Sequence, residues 1–163
     1  AGGSDHILAG MIAKASGVEA SKVNYVPFKG GGEAVAAIIG GHVAAGISGV
    51  SEFAQHIASG KMRALAVSSP AKQAGIPTLK EQGIDIVLGN WRGVFGAPGI
   101  TKPQRDELIK AIEAGVKHKS WEETLKKNDW MNVWLAGDEY KKFLDEDVKR
   151  IGDILGSLSL GKK

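Results

Sequence analysis

Short apolar segments alternate with helical patterns along residues 1–97. Runs of β-branched and other apolar residues predict strands at 23–26, 43–48, 62–67 and 84–88. Apolar residues at helical spacing predict helices that end at Gly17, Gly40 and Gly60. A shorter helix, capped by Thr78 and ended by Gly83, precedes the last strand. Strands that alternate with helices predict an α/β fold, with an open, mostly parallel sheet flanked by helices.

Residues 98–163 have a different pattern, in which helices follow one another without strands. Pro103, Ser120 and Asp138 mark three helix starts. The last of these helices carries a continuous apolar stripe, formed by Tyr140, Phe143, Leu144, Val148, Ile151, Ile154 and Leu155. Such a stripe must be buried against another surface. We therefore predict two parts, an α/β lobe over 1–97 and a C-terminal helical segment over 98–163.

Three consecutive glycines, Gly30, Gly31 and Gly32, join a predicted strand to a predicted helix, and Lys29 stands beside them. Glycine permits a tight turn, and a helix that starts there has free N–H groups and about half a positive charge at its start. Such an end can bind a carboxylate or a phosphate. The alternative is that the glycines only permit a tight connection. The run matches neither glycine motif of nucleotide-binding proteins, so a nucleotide site is not predicted.

Further candidates for ligand binding lie at the starts and ends of other predicted elements. Gly3 and Ser4 open the first helix, where the serine hydroxyl could hold a carboxylate oxygen or act as a plain N-cap. Ser48 ends the second predicted strand. Arg92 follows Trp91 in a bend flanked by glycines, where it could clamp a carboxylate or pair with a surface acid.

An enzyme is the alternative hypothesis, as a small α/β hydrolase-like or isomerase domain that uses Ser48 or His6. Gly46 to Gly49 resembles the turn that carries a hydrolase serine, but Val50 stands where the second glycine is required. The sequence offers no base for either residue. A third hypothesis is an interaction module whose tryptophan-rich surface binds another chain.

Composition narrows these alternatives. The 163 residues are 43% hydrophobic and 24% charged, an ordinary globular mixture for one domain or for one domain and part of another. The net charge of +3 comes from scattered basic residues, which argues against a nucleic-acid groove and suits small anions. There is no cysteine, and the isolated histidines offer no metal set. We predict no metal, no cofactor and no nucleic-acid partner.

Seven segments occur together in an order and spacing typical of one family: 2–6, 25–31, 40–43, 59–67, 77–83, 90–93 and 97–99. Through them, the chain resembles the substrate-binding receptors of bacterial tripartite tricarboxylate transporters, the TctC or Bug-type extracytoplasmic receptors. The resemblance covers essentially the whole chain and implies a type II periplasmic-binding-protein fold, in which two α/β lobes close on a small anion. It implies a periplasmic receptor and not an enzyme. Such a receptor captures a di- or tricarboxylate, citrate-like, and delivers it to membrane permease subunits.

The resemblance also implies where this sequence stands within such a receptor. Residues 1–97 are expected to be the second lobe, and 98–163 are expected to pack on a first lobe that precedes this sequence. The chain is therefore expected to be a fragment of a longer protein. Without the first lobe, we expect residues 98–163 to self-associate or to leave a large apolar patch exposed.

The resemblance implies that Ser4 and the glycine turn bind carboxylate, because both are retained in this sequence. The full set of predicted ligand-binding residues is Gly3, Ser4, Lys29, Gly30, Gly31, Gly32, Ser48 and Arg92. Family members commonly carry Asp where Ala44 stands here, so no role is carried over to that position.

Overall fold

The computed structural model describes residues 2–157. This part of the chain contains six α-helices: α1 (Ser4–Ala15), α2 (Gly31–Ile39), α3 (Val50–Ala58), α4 (Lys102–Val116), α5 (Lys119–Lys127) and α6 (Gly137–Ser157). Two short 3-10 helices, Ala20–Lys22 and Lys80–Gln82, lie in the connections. No helix among residues 2–157 is both long enough and apolar enough to cross a bilayer.

The described residues form two compact units, 2–89 with 149–157 and 90–148. The first unit contains the predicted glycine turn and the starts of α1, α2 and α3. The second contains the bend around Trp91 and helices α4 and α5. The division into a second lobe at 1–97 and a C-terminal segment at 98–163 stays a prediction about the whole receptor.

The core of the first unit is built from alanine and branched aliphatic side chains. Its buried apolar residues are Ile7, Ala13, Ala20, Val35, Ala37, Val67, Ile76, Leu79, Ile86 and Leu88. Ile7 and Ala13 come from α1, whereas Val35 and Ala37 come from α2. The core of the first unit therefore contains residues of α1, of α2 and of the segments that carry Val67 and Leu88.

The predicted mostly parallel sheet does not appear among the described residues. In this part of the chain the four predicted strands form no β-ladder, and only isolated bridges are present, a parallel one between Val67 and Thr78 and an antiparallel one between Gln73 and Ile76. Burial still alternates along 84–88, as the sequence pattern predicts. A high β-propensity means that a side chain fits a pleated, half-buried surface. It does not by itself supply a neighbouring strand for hydrogen bonding.

The short helix predicted after Thr78 is present as the 3-10 helix Lys80–Gln82, but its N-cap is Leu79, one residue later than predicted. The Thr78 hydroxyl accepts a hydrogen bond from the Glu81 N–H at 3.0 Å, and Glu81 Oε2 accepts one from the Thr78 N–H at 2.9 Å. Gly83 ends the turn with φ of +83°, a left-handed conformation that favours glycine. The pKa of Glu81 is lowered, first by the Thr78 N–H and then by Lys72, which lies 3.3 Å from its carboxylate.

Two residues predicted as N-caps lie inside their helices instead. Gly3 is the N-cap of α1, so Ser4 is its first helical residue, and α6 begins at Gly137, before Asp138. The physical reason is that hydroxyls and carboxylates are also favoured inside the first turn, where they face the positive end of the helix. In α5 the cap is the His118 side chain, which accepts a hydrogen bond from the Ser120 N–H at 3.2 Å, so Ser120 is not the N-cap.

An aromatic cluster organises the second unit. The ring of Trp91 packs edge-on against Tyr140 and Phe143, with centroid separations of 6.0 Å and 5.5 Å. Trp91 Nε1 also donates a hydrogen bond to Asp147 Oδ2 at 3.0 Å. These contacts anchor the bend at 90–93 on α6. The predicted apolar stripe of α6 is only partly covered, since Val148 is 63% exposed.

Candidate ligand-binding site

The start of α1 makes contacts within its own first turn and with the segment that carries Tyr25. Gly3 is extended at the N-cap, and the Ser4 hydroxyl donates a long hydrogen bond of 3.5 Å to Asp5 Oδ1. The Gly2 N–H donates to His6 Nδ1 at 3.1 Å, and the His6 ring stacks on Tyr25 at a centroid separation of 4.1 Å. The predicted first strand therefore lies beside the N-terminus of α1.

The pKa values of Asp5 and Tyr25 are both raised, mainly because both side chains are partly buried. Burial is the main reason that the pKa of Asp5 is raised, and the negative charge of Glu52 raises it further, while the Ser4 hydroxyl acts in the opposite direction. Burial also raises the pKa of Tyr25, with a smaller contribution from the charge of Asp5. The charge of Glu52, in the first turn of α3, thus acts on a residue in the first turn of α1.

The glycine turn forms the N-terminus of α2. Gly30 is the N-cap, and Gly31 is the first helical residue. A Cβ atom built on Gly30 or Gly32 would meet nothing within 4 Å, whereas one on Gly31 would collide with the carboxylate of Glu52. The Lys29 N–H donates to Glu33 Oε2 at 3.2 Å, so this N–H is already used within the turn. The Lys29 side chain is exposed.

Glu52 therefore connects the starts of three helices. It lies in the first turn of α3, its carboxylate rests beside Gly31 of α2, and its charge acts on Asp5 of α1. Ser48 directly precedes Gly49, the N-cap of α3, and is half-buried. The predicted binding residues of the first unit lie at or next to the starts of these three helices, namely Gly3, Ser4, Lys29, Gly30, Gly31, Gly32 and Ser48.

Arg92 belongs to the second unit, where its own loop binds it. Its Nη1 donates to Asn90 Oδ1 at 2.6 Å and to the Trp91 carbonyl at 3.3 Å, and its side chain is exposed. The guanidinium group is therefore directed at the loop backbone and at Asn90.

The sequence analysis missed Asp5 and Glu52 as parts of this region. Both are acidic residues in the first turn of a helix, a position that usually only complements the helix dipole. Their importance comes from the approach of three helices that are distant in sequence, which no local pattern reports. Among residues 2–157, no group of three or more His, Cys, Asp or Glu side chains is arranged to hold a metal ion.

The region combines opposite electrostatic features. Three helix N-termini present N–H groups and partial positive charge, while two carboxylates lie among them. His6 uses its Nδ1 to accept the Gly2 N–H. No histidine or carboxylate within the described part of the chain is hydrogen-bonded to the Ser48 hydroxyl. The geometry suits the binding of a small anion better than nucleophilic catalysis.

Comparison with known proteins gives consistent matches over nearly the whole chain. The family model described as "Tripartite tricarboxylate transporter family receptor" (TctC) matches residues 1–160. The "UPF0065 protein in gbd 5'region" of Cupriavidus necator is 29% identical over 160 residues, which are 96% of this chain and 48% of that protein. Protein BugT of Bordetella pertussis is 29% identical over 159 residues, or 94% of this chain and 48% of BugT.

A solved structure agrees with these matches. The crystal structure of a TctC solute-binding protein from Polaromonas, without ligand, superposes with a TM-score of 0.76 at 28% identity. The match covers 96% of this chain and 55% of that one. The chain spans about half the length of the curated relatives it matches, and its fold is that of a periplasmic-binding-protein-like receptor. This chain belongs to the TctC family of tripartite tricarboxylate transporter receptors.

Proposed function

We propose that this protein provides ligand-binding surface to an extracytoplasmic receptor that captures a small di- or tricarboxylate, citrate-like, for a tripartite tricarboxylate transporter. The observation that supports it most is the convergence of the starts of α1, α2 and α3 in the first unit. Members of the family are solute-binding receptors and not enzymes. The alternative of an enzyme that uses Ser48 or His6 is therefore set aside.

The proposed site binds carboxylate oxygens through backbone N–H groups. At the start of α2, Gly30 and Gly32 have open space where a side chain would otherwise stand, so a ligand oxygen can approach the backbone closely. The Ser4 hydroxyl adds a donor at the start of α1, where Gly3 also lacks a side chain that would obstruct access. Ser48 adds a hydroxyl near the start of α3. Charge-assisted hydrogen bonds of this kind contribute about 1.5–3 kcal/mol each.

Lys29 and Arg92 are proposed as cationic contributors. The Lys29 side chain is exposed beside the turn, so it can move toward an anion without losing a buried contact. Arg92 binds Asn90 Oδ1 at 2.6 Å, and it must release this acceptor before it can clamp a carboxylate. The proposed mechanism in the whole receptor is closure of two lobes around the ligand, with periplasmic localisation and delivery to membrane permease subunits.

The exposed apolar residues of the second unit support a proposal about packing. Val94 and Phe95 are 70% and 65% exposed, and Trp130 and Val133 are 54% and 60% exposed. We propose that these residues are covered in the whole receptor by the part of the relatives that this chain does not match. In this chain alone they favour self-association, because burial contributes about 25 cal/mol per Å² of apolar surface. Light scattering that finds only monomers at high concentration would contradict this proposal.

The sheet predicted from the sequence also remains a proposal for the whole receptor. The Leu88 N–H donates to the Ser68 carbonyl at 2.9 Å, and the Val67 N–H donates to the Pro77 carbonyl at 2.9 Å. These bonds join the segments around Val67, Leu88 and Pro77 side by side. They are consistent with segments that pair more fully as strands when the receptor is whole.

A thermal-shift screen tests the proposed function. Citrate, tricarballylate and succinate, at several millimolar, are compared with neutral and cationic molecules of similar size. We expect the di- and tricarboxylates to raise the melting temperature, because a ligand that binds the folded state stabilises it. The Ser4→Ala variant should lose part of this shift. Ser16→Ala, at the opposite end of α1, is the matched control and should keep it. Equal shifts from all three charge classes, or none from the carboxylates, would contradict the proposed function.

A further inference from the structure

A carboxylate of the protein itself occupies part of the proposed anion site. The position of a Cβ atom on Gly31 is filled by Glu52 Oε2, and Glu52 Cδ lies 2.8 Å from that position. The corresponding positions at Gly30 and Gly32 are open. The Glu52 carboxylate therefore lies beside Gly31, the first helical residue of α2. The first N–H groups of a helix have no partner within the helix.

Glu52 is held there by a balance of attraction and repulsion. The positive ends of α2 and α3 attract its negative charge. Asp5 repels it, and the same repulsion contributes to the raised pKa of Asp5, after the larger effect of burial. The Glu52 side chain is exposed and has several rotatable bonds, so it can leave this position without unpacking the core. An attractive but exposed contact of this kind is easily replaced by a competing anion.

We propose that Glu52 is an intramolecular competitor, whose carboxylate covers the start of α2 in the free protein and must be displaced by a carboxylate of the ligand. This inference rests on the proposed function, since it concerns the same site. In this role Glu52 weakens ligand binding and makes the affinity depend on the charge of the ligand. A ligand must supply more negative charge than the single carboxylate it displaces, which favours di- and tricarboxylates over monocarboxylates.

Removal of the competitor should therefore strengthen binding of citrate. Two carboxylates cannot occupy the start of α2 together without strong repulsion. We expect Glu52→Ala to lower the dissociation constant for citrate about tenfold, because it removes both the charge and the side chain. Glu52→Gln should lower it less, since the neutral amide still covers Gly31. The Glu52→Ala substitution should lower the dissociation constant for acetate by a larger factor than that for citrate. The ratio of the two dissociation constants should therefore become smaller.

A matched control separates competition from a change in net charge. Glu19→Gln also removes one negative charge from the first unit. Glu19 is exposed, pairs with Lys22 at 3.1 Å, and follows the C-terminal end of α1. The length of α1 places it roughly 18 Å from the start of that helix, beyond the screening length of about 10 Å at 0.1 M salt. We expect the Glu19→Gln variant to bind citrate with the same dissociation constant as the wild-type protein.

The experiment is a titration of the ¹⁵N-labelled protein and its three variants with citrate, followed by amide chemical shifts, which resolve millimolar dissociation constants. The unliganded spectra show whether each variant is folded. Tighter binding in Glu52→Ala and Glu52→Gln, but not in Glu19→Gln, is the expected result. Equal or weaker binding in both Glu52 variants overturns the competition, as does an equal gain in Glu19→Gln. If citrate shifts no amide in any of the four proteins, the proposed function fails together with this inference.

Discussion

The Gly93→Ala substitution should destabilise the protein by overfilling the aromatic cluster of the second unit. A Cβ atom on Gly93 would collide with the Tyr140 hydroxyl oxygen and would lie 3.0 Å from both Trp91 Cζ3 and Tyr140 Cζ. None of these atoms can move freely. Trp91 is held by its hydrogen bond to Asp147 at 3.0 Å, and Tyr140 packs between Trp91 and Phe143.

The magnitude follows from two opposing effects. Insertion of a methyl group into a packed region costs about 1–3 kcal/mol. Replacement of glycine by alanine reduces the entropy of the unfolded chain, which offsets about 0.4–1 kcal/mol of that cost. We therefore expect a net loss of about 1–2 kcal/mol. For a chain of this length, this loss corresponds to a decrease of roughly 2–8 °C in melting temperature.

Urea denaturation, followed by tryptophan fluorescence, measures the effect, with Gly115→Ala as the matched control. Gly115 lies in α4 of the same unit, and a Cβ atom there meets nothing within 4 Å. The control should be more stable than the wild-type protein by about 0.5–1 kcal/mol, because alanine is the better helix former. If Gly93→Ala is as stable as the control, the cluster is not packed as described.

Three further predictions concern charge and capping in the first unit. Burial raises the pKa of Asp5, so its ionised form lowers stability above that pKa, and the penalty disappears as the pH falls below the unfolded value of 3.8. Asp5→Asn should therefore be more stable than the wild-type protein in urea at pH 7, with a smaller difference at pH 3.5; a constant difference would contradict this cause. Thr78→Val should cost about 1 kcal/mol in the same assay, because it keeps the volume of a buried side chain but leaves the Glu81 N–H without its acceptor. The pKa of Glu81 is lowered chiefly by the Thr78 N–H, so Glu81→Gln should lose stability at pH 7 and less at pH 3, since that contribution is lost as the pH falls through the lowered pKa.

Local signals in the sequence predicted the helices well. The glycines after α1 and after the turn at 80–82 have positive φ angles, so they end their helices for the physical reason inferred from the sequence. Ser4 and Asp138, which were predicted as N-caps, lie in the first turns of their helices, because several positions in a first turn favour the same side chains. The β-prone segments could also be located in the sequence. Their pairing could not, because the partners in a sheet are distant in sequence.

Only the backbone part of the candidate site, the helix N-terminus at the glycine run, could be predicted from the sequence. The glycine run indicated an open helix N-terminus, and the structure leaves space beside Gly30 and Gly32. The position of Glu52 over Gly31 depends on how α2 and α3 meet, so no spacing along the chain could reveal it. Arg92 was selected for its chemistry, but its partner is Asn90, two residues away in the same loop. Sequence patterns thus locate available groups, whereas tertiary packing decides which groups meet.

The most direct test of the central claim is a map of the amides that respond when citrate is added to the ¹⁵N-labelled protein. We expect the largest shifts at Ser4, Gly31 and Gly32, the helix starts that form the proposed site. Ser4→Ala should weaken binding, and Gly31→Val should weaken it more, because a valine side chain covers the N–H groups and, unlike Glu52, cannot swing away. Shifts confined to other residues, or unchanged affinity in both variants, would remove the helix starts from the site and contradict the account.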